Sequence, residues 1–310
     1  MINLGYACIC LELSSLPKSK RITTNRSMIK KTFQQKGVAY ASELAVQNIK
    51  DLKSILQWNE ERGIKFYRMS SDIFPWMSEY NFRDLPDFDE ICYLLDCVGE
   101  YATLNGHRLT FHPGPFNVLG SPNEKVVTKT IKELNQHSEI MDLMGFIPSY
   151  YNKINIHVGG TYGGDFDGTA ERWCNNFLKL DDGTRARLTL ENDDKASMWS
   201  TKQIHEKIHS KIGIAQVHDI HHHKFCTGGL TDEEAMRLAA STWGDIKPVV
   251  HYSQDRSIEQ NDPKIRSQAH SDHYWIPVDL HGLDVDCMLE AKAKEQALFG
   301  MRQLLVEQAA

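Results

Sequence analysis

Eight short β-rich runs separated by longer stretches of helical periodicity restrict this chain more than any other feature. The runs cover residues 2–9, 64–69, 108–112, 153–157, 187–191, 214–219, 248–252 and 286–290. Helical spacing of apolar residues falls at 42–61, 89–103, 123–144, 169–178, 200–210, 232–242 and 291–306. Strands that alternate with helices build parallel sheets, because a parallel neighbour is reached only by a crossover long enough to hold a helix. Eight such units predict an α/β fold of the TIM (β/α)8 barrel type, in one domain over residues 1–310. No solenoid-like repeat, low-complexity segment or linker divides the sequence.

The remaining composition narrows the function classes. The most apolar stretches, such as 153–158 and 187–190, are strand-length and interrupted by charge, so no membrane span is expected. The N-terminus is apolar from the outset and lacks a basic region followed by a cleavage site, which predicts an intracellular protein. Seven cysteines without a CxxC pair predict reduced thiols rather than a disulfide framework or zinc ribbon. With 35 basic and 41 acidic side chains the formal net charge is −6, so contact with a polyanion cannot rest on bulk electrostatics. Bound divalent cations can invert the potential locally. The one strongly basic run, Lys18, Lys20, Arg21, Arg26, Lys30, Lys31 and Lys36, reads equally as a solvated loop or a backbone contact for DNA.

Metal-competent residues fall at the ends of six consecutive runs. His112 closes the third, His157 the fourth, Glu191 the fifth, Asp219 the sixth, His251 lies in the seventh and Glu290 closes the eighth. In a TIM barrel those strand ends converge on one mouth. Carboxylates packed there would raise one another's pKa, and divalent cations relieve that repulsion. A mixed imidazole and carboxylate set suits Zn, Mn or Fe better than Ca or Mg. Three adjacent histidines, His221, His222 and His223, cannot all point one way; Asp219 with His222 is a plausible pair, and His223 is expected behind the site or in solvent. His270 adds a further candidate from the loop after the seventh run.

Other features are ambiguous. Arg68, after the second run, suits a phosphate contact or an internal ion pair. Trp76 and Tyr80 could stack on bases, but packing is the commoner use of such residues. Gly159, Gly160, Gly163 and Gly164 lack dinucleotide-binding spacing and read equally as a tight loop that lets backbone approach a bulky substrate or ion, or as a plain turn.

The strings LGYAC, YRMSSDIFP, FHPGPF, INIHVGGTYG, LTLENDDK, HDIHHH, VHYS, AHSDH and MLEAKAKE, in this order along nearly the whole chain, resemble the UV damage endonucleases. That family is similar in fold and metal constellation to endonuclease IV and, more distantly, to xylose isomerase-like barrels. The resemblance implies two or three divalent metal ions, usually manganese, and a nick immediately 5′ to cyclobutane pyrimidine dimers and 6-4 photoproducts. It implies one ion on His112, His157 and Glu191, a second on Glu191, Asp219, His251 and Glu290, and a third on His222 and His270. Glu191, Asp219 and Glu290 become the catalytic carboxylates, and Tyr6, Arg68 and Phe116 the substrate contacts, with Tyr6 and Phe116 filling the stack vacated by the flipped lesion. The partner is damaged double-stranded DNA, and a monomer without membrane association is expected.

Three positions depart from the family pattern. Ile9 and Cys10 stand where an Asn is expected, Pro115 precedes Phe116 where a Gln is expected, and Val249 replaces a Lys two residues before His251, with Lys247 two residues further back. Two rival readings remain at this point. A sugar isomerase or epimerase on the same barrel would want a buried lysine or paired acids for proton transfer, and none is identified in the sequence. A catalytically weak lesion-binding protein would account for Pro115 and Val249.

Overall fold

A computed structural model describes residues 2–309. All eight runs become parallel strands: β1 Leu4–Ala7, β2 Phe66–Arg68, β3 Arg108–Thr110, β4 Ile154–His157, β5 Leu188–Glu191, β6 Ala215–Asp219, β7 Val249–Tyr252 and β8 Asp286–Leu289. Their ladders run in the order β3-β2-β1-β8-β7-β6-β5-β4. A parallel bridge between Phe111 and Ile154 joins the two ends. There Phe111 N donates to Lys153 O at 2.9 Å and Asn155 N to Phe111 O at 2.9 Å, which closes the barrel and leaves no free sheet edge.

Side chains alternate between the barrel interior and the surrounding helices, and this parity decides which residues can reach the mouth. Gly5 faces inward, where a side chain would strike the Phe66 ring, and Ala7, Phe66, Val217, Val249 and Met288 pack together inside. Tyr6 therefore points outward. Its ring is fully buried, 5.0 Å from the Tyr67 ring, and its hydroxyl donates to Asn59 Oδ1 at 2.8 Å. The expected contact of Tyr6 with a vacated base stack is corrected accordingly, because strand parity turns the ring into the helical layer.

The helices follow the sequence periodicity, with three informative differences. The first, Lys30–Glu61, begins well before residue 42 and is broken at Gly37, whose φ is 65°. Lys30, Lys31 and Lys36 make its first turns polar and exposed, so no apolar face announces them. Residues 201–212 include a π-helical stretch at His205–His209. After β7 only the short helix Arg256–Glu259 forms, and the rest of the connection to β8 is the loop that carries His270. No described helix is long and apolar enough to cross a membrane, and all seven cysteines are unpaired.

Candidate metal centre

The strand ends bring the expected residues to one mouth because of register. His157 lies beside Glu191 across β4 and β5, and Asp219 beside His251 across β6 and β7. Glu191 sits at the centre, 1% exposed. His112 Nε2 lies 3.1 Å from its Oε2, His251 Nδ1 3.0 Å from the same oxygen, and His222 Nδ1 3.4 Å from Oε1. His157 Nε2 is 4.0 Å from Oε1. Two groups of ligand atoms lie within 4.8 Å of one another: His112, His157 and Glu191, and Glu191, Asp219 and His251. Glu191 belongs to both.

Hydrogen bonding shows what this arrangement lacks. Among the described residues, Glu191 Oε1, Asp219 Oδ2 and His251 Nδ1 are buried and have no partner of hydrogen-bond geometry. Converging lone pairs without donors are costly unless a cation satisfies them. The other oxygen of Asp219 is occupied, since it accepts from His222 N at 2.7 Å and so begins the turn Ile220–His223. Asn192 exchanges hydrogen bonds with the Asp219 backbone at 2.8 and 3.0 Å and holds that carboxylate in place.

The far sides of the imidazoles are also arranged for coordination. His112 Nδ1 lies 3.2 Å from Pro113 O, His222 Nδ1 3.0 Å from Asn192 O, and His270 Nδ1 3.1 Å from Glu290 O. Carbonyl oxygens only accept, so each Nδ1 carries the proton and each Nε2 keeps a lone pair. His157 Nδ1 lies 3.2 Å from Asp193 Oδ1. His222 and His270, with rings 6.0 Å apart, lie near the centre but outside both tight groups.

Glu290 is held differently from Glu191. Its Oε1 is 3.1 Å from His251 Nδ1 and is also paired with Arg68 Nη1. Burial opposes the guanidinium's charge, and Glu290 overcomes this and keeps it protonated. Arg68 therefore sits inside the mouth as the partner of Glu290, which is the internal ion pair rather than a guanidinium free for phosphate. Phe116 is 86% exposed on the loop after β3.

Three residues that matter here were not singled out from sequence. Lys153 and Asn155 precede His157 by four and two positions, so parity aims all three into the barrel. Asn155 donates to Glu191 Oε2 and accepts from Thr189 Oγ1 at 2.7 Å. Lys153 is fully buried beneath the centre. It is the buried lysine that sequence reading did not find, and it lies below His251 without access to the mouth. Asn192 is the third. Trp76 and Tyr80 serve packing: Trp76 Nε1 donates to Met28 O at 2.8 Å, and Tyr80 is buried with its hydroxyl on Pro75 O at 2.8 Å. His223 is buried, 3.1 Å from Leu230 O, and its ring lies 5.0 Å from that of His218; it is not in solvent. Of the basic run, Arg26 is used internally on Asp51 at 2.6 Å, while Lys18, Lys20 and Arg21 stay exposed.

The charge balance is tight. Burial alone would raise the Glu191 carboxyl, but His251 and His157 hold it well below the usual range. Burial would lower His157, yet Glu191 and Asp193 push it up to about 10. His112 moves the opposite way, down to about 4, because burial outweighs its contact with Glu191. Burial lowers Lys153 to about 7.

A closed barrel with imidazole and carboxylate groups gathered at its C-terminal mouth is the arrangement of a TIM-barrel enzyme with a candidate metal centre. The chain belongs to the UV-endonuclease UvdE family, whose model matches residues 2–309. It is 35% identical over 313 residues to the UV-damage endonuclease of Schizosaccharomyces pombe, covering 96% of this chain and 49% of that protein. It is 30% identical to the UV DNA damage endonuclease of Bacillus cereus strain B4264, covering 96% of this chain and 93% of the relative. The crystal structure of SacUVDE superposes with a TM-score of 0.83 at 28% identity, over 100% of this chain and 99% of that one. A D-tagatose 3-epimerase-like protein matches with a TM-score of 0.54 at 12% identity over 82% of this chain and 94% of that one, which shows the barrel alone.

Proposed function

We infer that this chain is a UV-damage endonuclease that hydrolyses the DNA backbone immediately 5′ to UV photoproducts, with two or three divalent cations at the mouth, manganese first among them. The observation that carries the reading is the convergence of three buried, unpartnered ligand atoms, Glu191 Oε1, Asp219 Oδ2 and His251 Nδ1, in a member of this family. The donor set fits a borderline transition ion: imidazole nitrogens, those of His112, His222 and His270 with their far sides on carbonyls, and the Glu191 carboxylate held by the Asn155 amide. His112, His157 and Glu191 would hold one ion, Glu191, Asp219 and His251 another, with Glu290 adjoining, and His222 and His270 are candidates for a third. When bound, such ions supply the Lewis-acid polarisation that phosphodiester hydrolysis requires.

The protein's own groups then do the positioning. Arg68 fixes the Glu290 carboxylate, Asn155 fixes that of Glu191, and Asn192 fixes Asp219. Phe116, exposed on the loop that follows His112, would meet an unstacked base step. Photoproducts stack and pair poorly, so extruding them costs less than extruding intact bases, and that difference supplies part of the selectivity. The test is nicking of irradiated against unirradiated supercoiled plasmid, with and without manganese. Manganese-dependent nicking of the irradiated plasmid alone is expected; equal nicking of both, or of neither, rejects the reading.

A further inference from the structure

The loop after β4 holds a second exposed aromatic residue that the site described above does not use. Residues 159–164 form a turn in which Gly159, Gly163 and Gly164 have φ of 98°, 89° and 84°. Tyr162, in the middle, has φ of 45°. That left-handed conformation is natural for glycine and unfavourable for a tyrosine, and such strain persists only where the surroundings enforce it. The surroundings here do so. Arg172 stands 5.6 Å from the Tyr162 ring centroid, and its guanidinium also donates to Gly120 O at 3.1 Å and to Thr169 Oγ1 at 2.9 Å. Thr161 Oγ1 donates to Ser197 O at 3.3 Å. A side chain added at Gly160 would come within 3.8 Å of the Tyr162 ring.

The same bonds join this loop to the one that carries Phe116. Gly159 lies against Val118 so closely that an added Cβ would fall 2.6 Å from Val118 Cγ1. Gly120, four residues after Phe116, is the acceptor for Arg172. The two loops, which follow His112 and His157 in the chain, are thus packed against each other. They present two aromatic rings, 86% exposed at Phe116 and 40% at Tyr162. An exposed ring held in a strained turn, where glycine would be easier, contributes little to the fold.

We propose that Tyr162 is a second aromatic contact for the damaged duplex, acting with Phe116 from the neighbouring loop and setting how well distorted DNA is distinguished from intact DNA. The proposal rests on the endonuclease reading above. Its chemistry is stacking: aromatic faces accept any base that has lost its neighbour, and they do so without base-specific hydrogen bonds. Arg172 behind the ring fixes its orientation before binding, which reduces the ordering required on contact.

The test compares wild type with Tyr162→Ala, Tyr162→Phe and Tyr162→Gly in binding to irradiated and unirradiated duplexes, with bound manganese and melting temperature measured on each. Glycine accepts the backbone conformation, so the Gly variant keeps the loop even if the Ala variant shifts it. The expected result is a loss of affinity for irradiated duplex of roughly five- to hundredfold in the Ala and Gly variants, restored in Phe. Manganese content and the slope of affinity against salt should not change, because no phosphate contact is removed. Unchanged preference for irradiated DNA in both Ala and Gly variants overturns the proposal alone. A wild-type protein without that preference overturns the endonuclease reading, and this proposal with it.

Discussion

Lys153 Nζ lies 3.3 Å from Nε2 of His251, on the far side of that ring from Glu191 and Glu290. His112, His222 and His270 each have a carbonyl on the far side, which accepts a hydrogen bond from the ring Nδ1–H. For His251 to offer the Nδ1 lone pair, Nε2 must carry the proton and donate it, so Lys153 has to accept as a neutral amine. Burial lowers Lys153 to about 7, which makes the neutral form accessible near neutral pH. Lys153→Met should therefore weaken manganese binding by about 10- to 100-fold. Lys153→Gln, whose amide oxygen can accept from Nε2, should lose less. Calorimetric titration of manganese separates the two, and equal affinity in Met, Gln and wild type rejects the role.

Glu191 is common to both tight ligand groups, so neutralising it should disturb both. Glu191→Gln keeps the shape and the contact with Asn155 but removes the charge. Incision should fall by more than about 100-fold, with bound manganese reduced and the melting profile of the metal-free protein retained. Near-normal nicking by a folded Glu191→Gln protein would sink the metal-centre assignment.

Most of the centre was legible because strand ends in a barrel share a destination. His112, His157, Glu191, Asp219 and His251 could be read from position alone, since one residue per strand end suffices and register does the rest. Tyr6 was misplaced for the opposite reason. It lies within β1, where a shift of one position exchanges interior and exterior, and only the pairing of Gly5 with Phe66 fixes which side it takes. Lys153 and Asn155 carried a readable signal, two-residue spacing back from His157, that marks the same interior face. For Arg68 the sequence left a phosphate contact and an internal ion pair open, because strand-end position brings it to the mouth without naming Glu290 as its partner.

Tyr6 and Phe116 should now separate cleanly. Tyr6→Ala removes a buried ring and strands the Asn59 acceptor, so it should destabilise the fold by about 3–5 kcal/mol, by comparison with other buried aromatic truncations. Phe116→Ala removes an exposed ring and should leave the melting temperature unchanged while weakening binding to irradiated duplex by roughly five- to hundredfold. Thermal melts and duplex binding on the two variants decide this. A destabilised Phe116→Ala together with a stable, binding-impaired Tyr6→Ala would reverse the assignment.

The raised pKa of His157 gives a pH signature that ordinary imidazoles would not. With Glu191 and Asp193 beside it, His157 in the polypeptide alone holds its proton up to about 10, whereas an unfolded histidine releases it near 6.5. A pKa that is higher folded than unfolded stabilises the protein fully below the unfolded value and loses that contribution as pH rises through the folded one. The metal-free protein should therefore become less stable on this account between about pH 6.5 and about pH 10. Coordination has the opposite sign, because a ligand histidine must first lose its proton. Manganese affinity should keep rising across the same interval instead of levelling near pH 7, as it would if only unperturbed imidazoles were involved. Manganese titrations at several pH values, paired with thermal melts of metal-free protein, test both slopes. Glu191 also raises His251, and Asp219 and Glu191 raise His222, so in His157→Gln the rise in affinity above about pH 7 should shrink rather than vanish, and if it is unchanged, the metal does not displace the His157 proton.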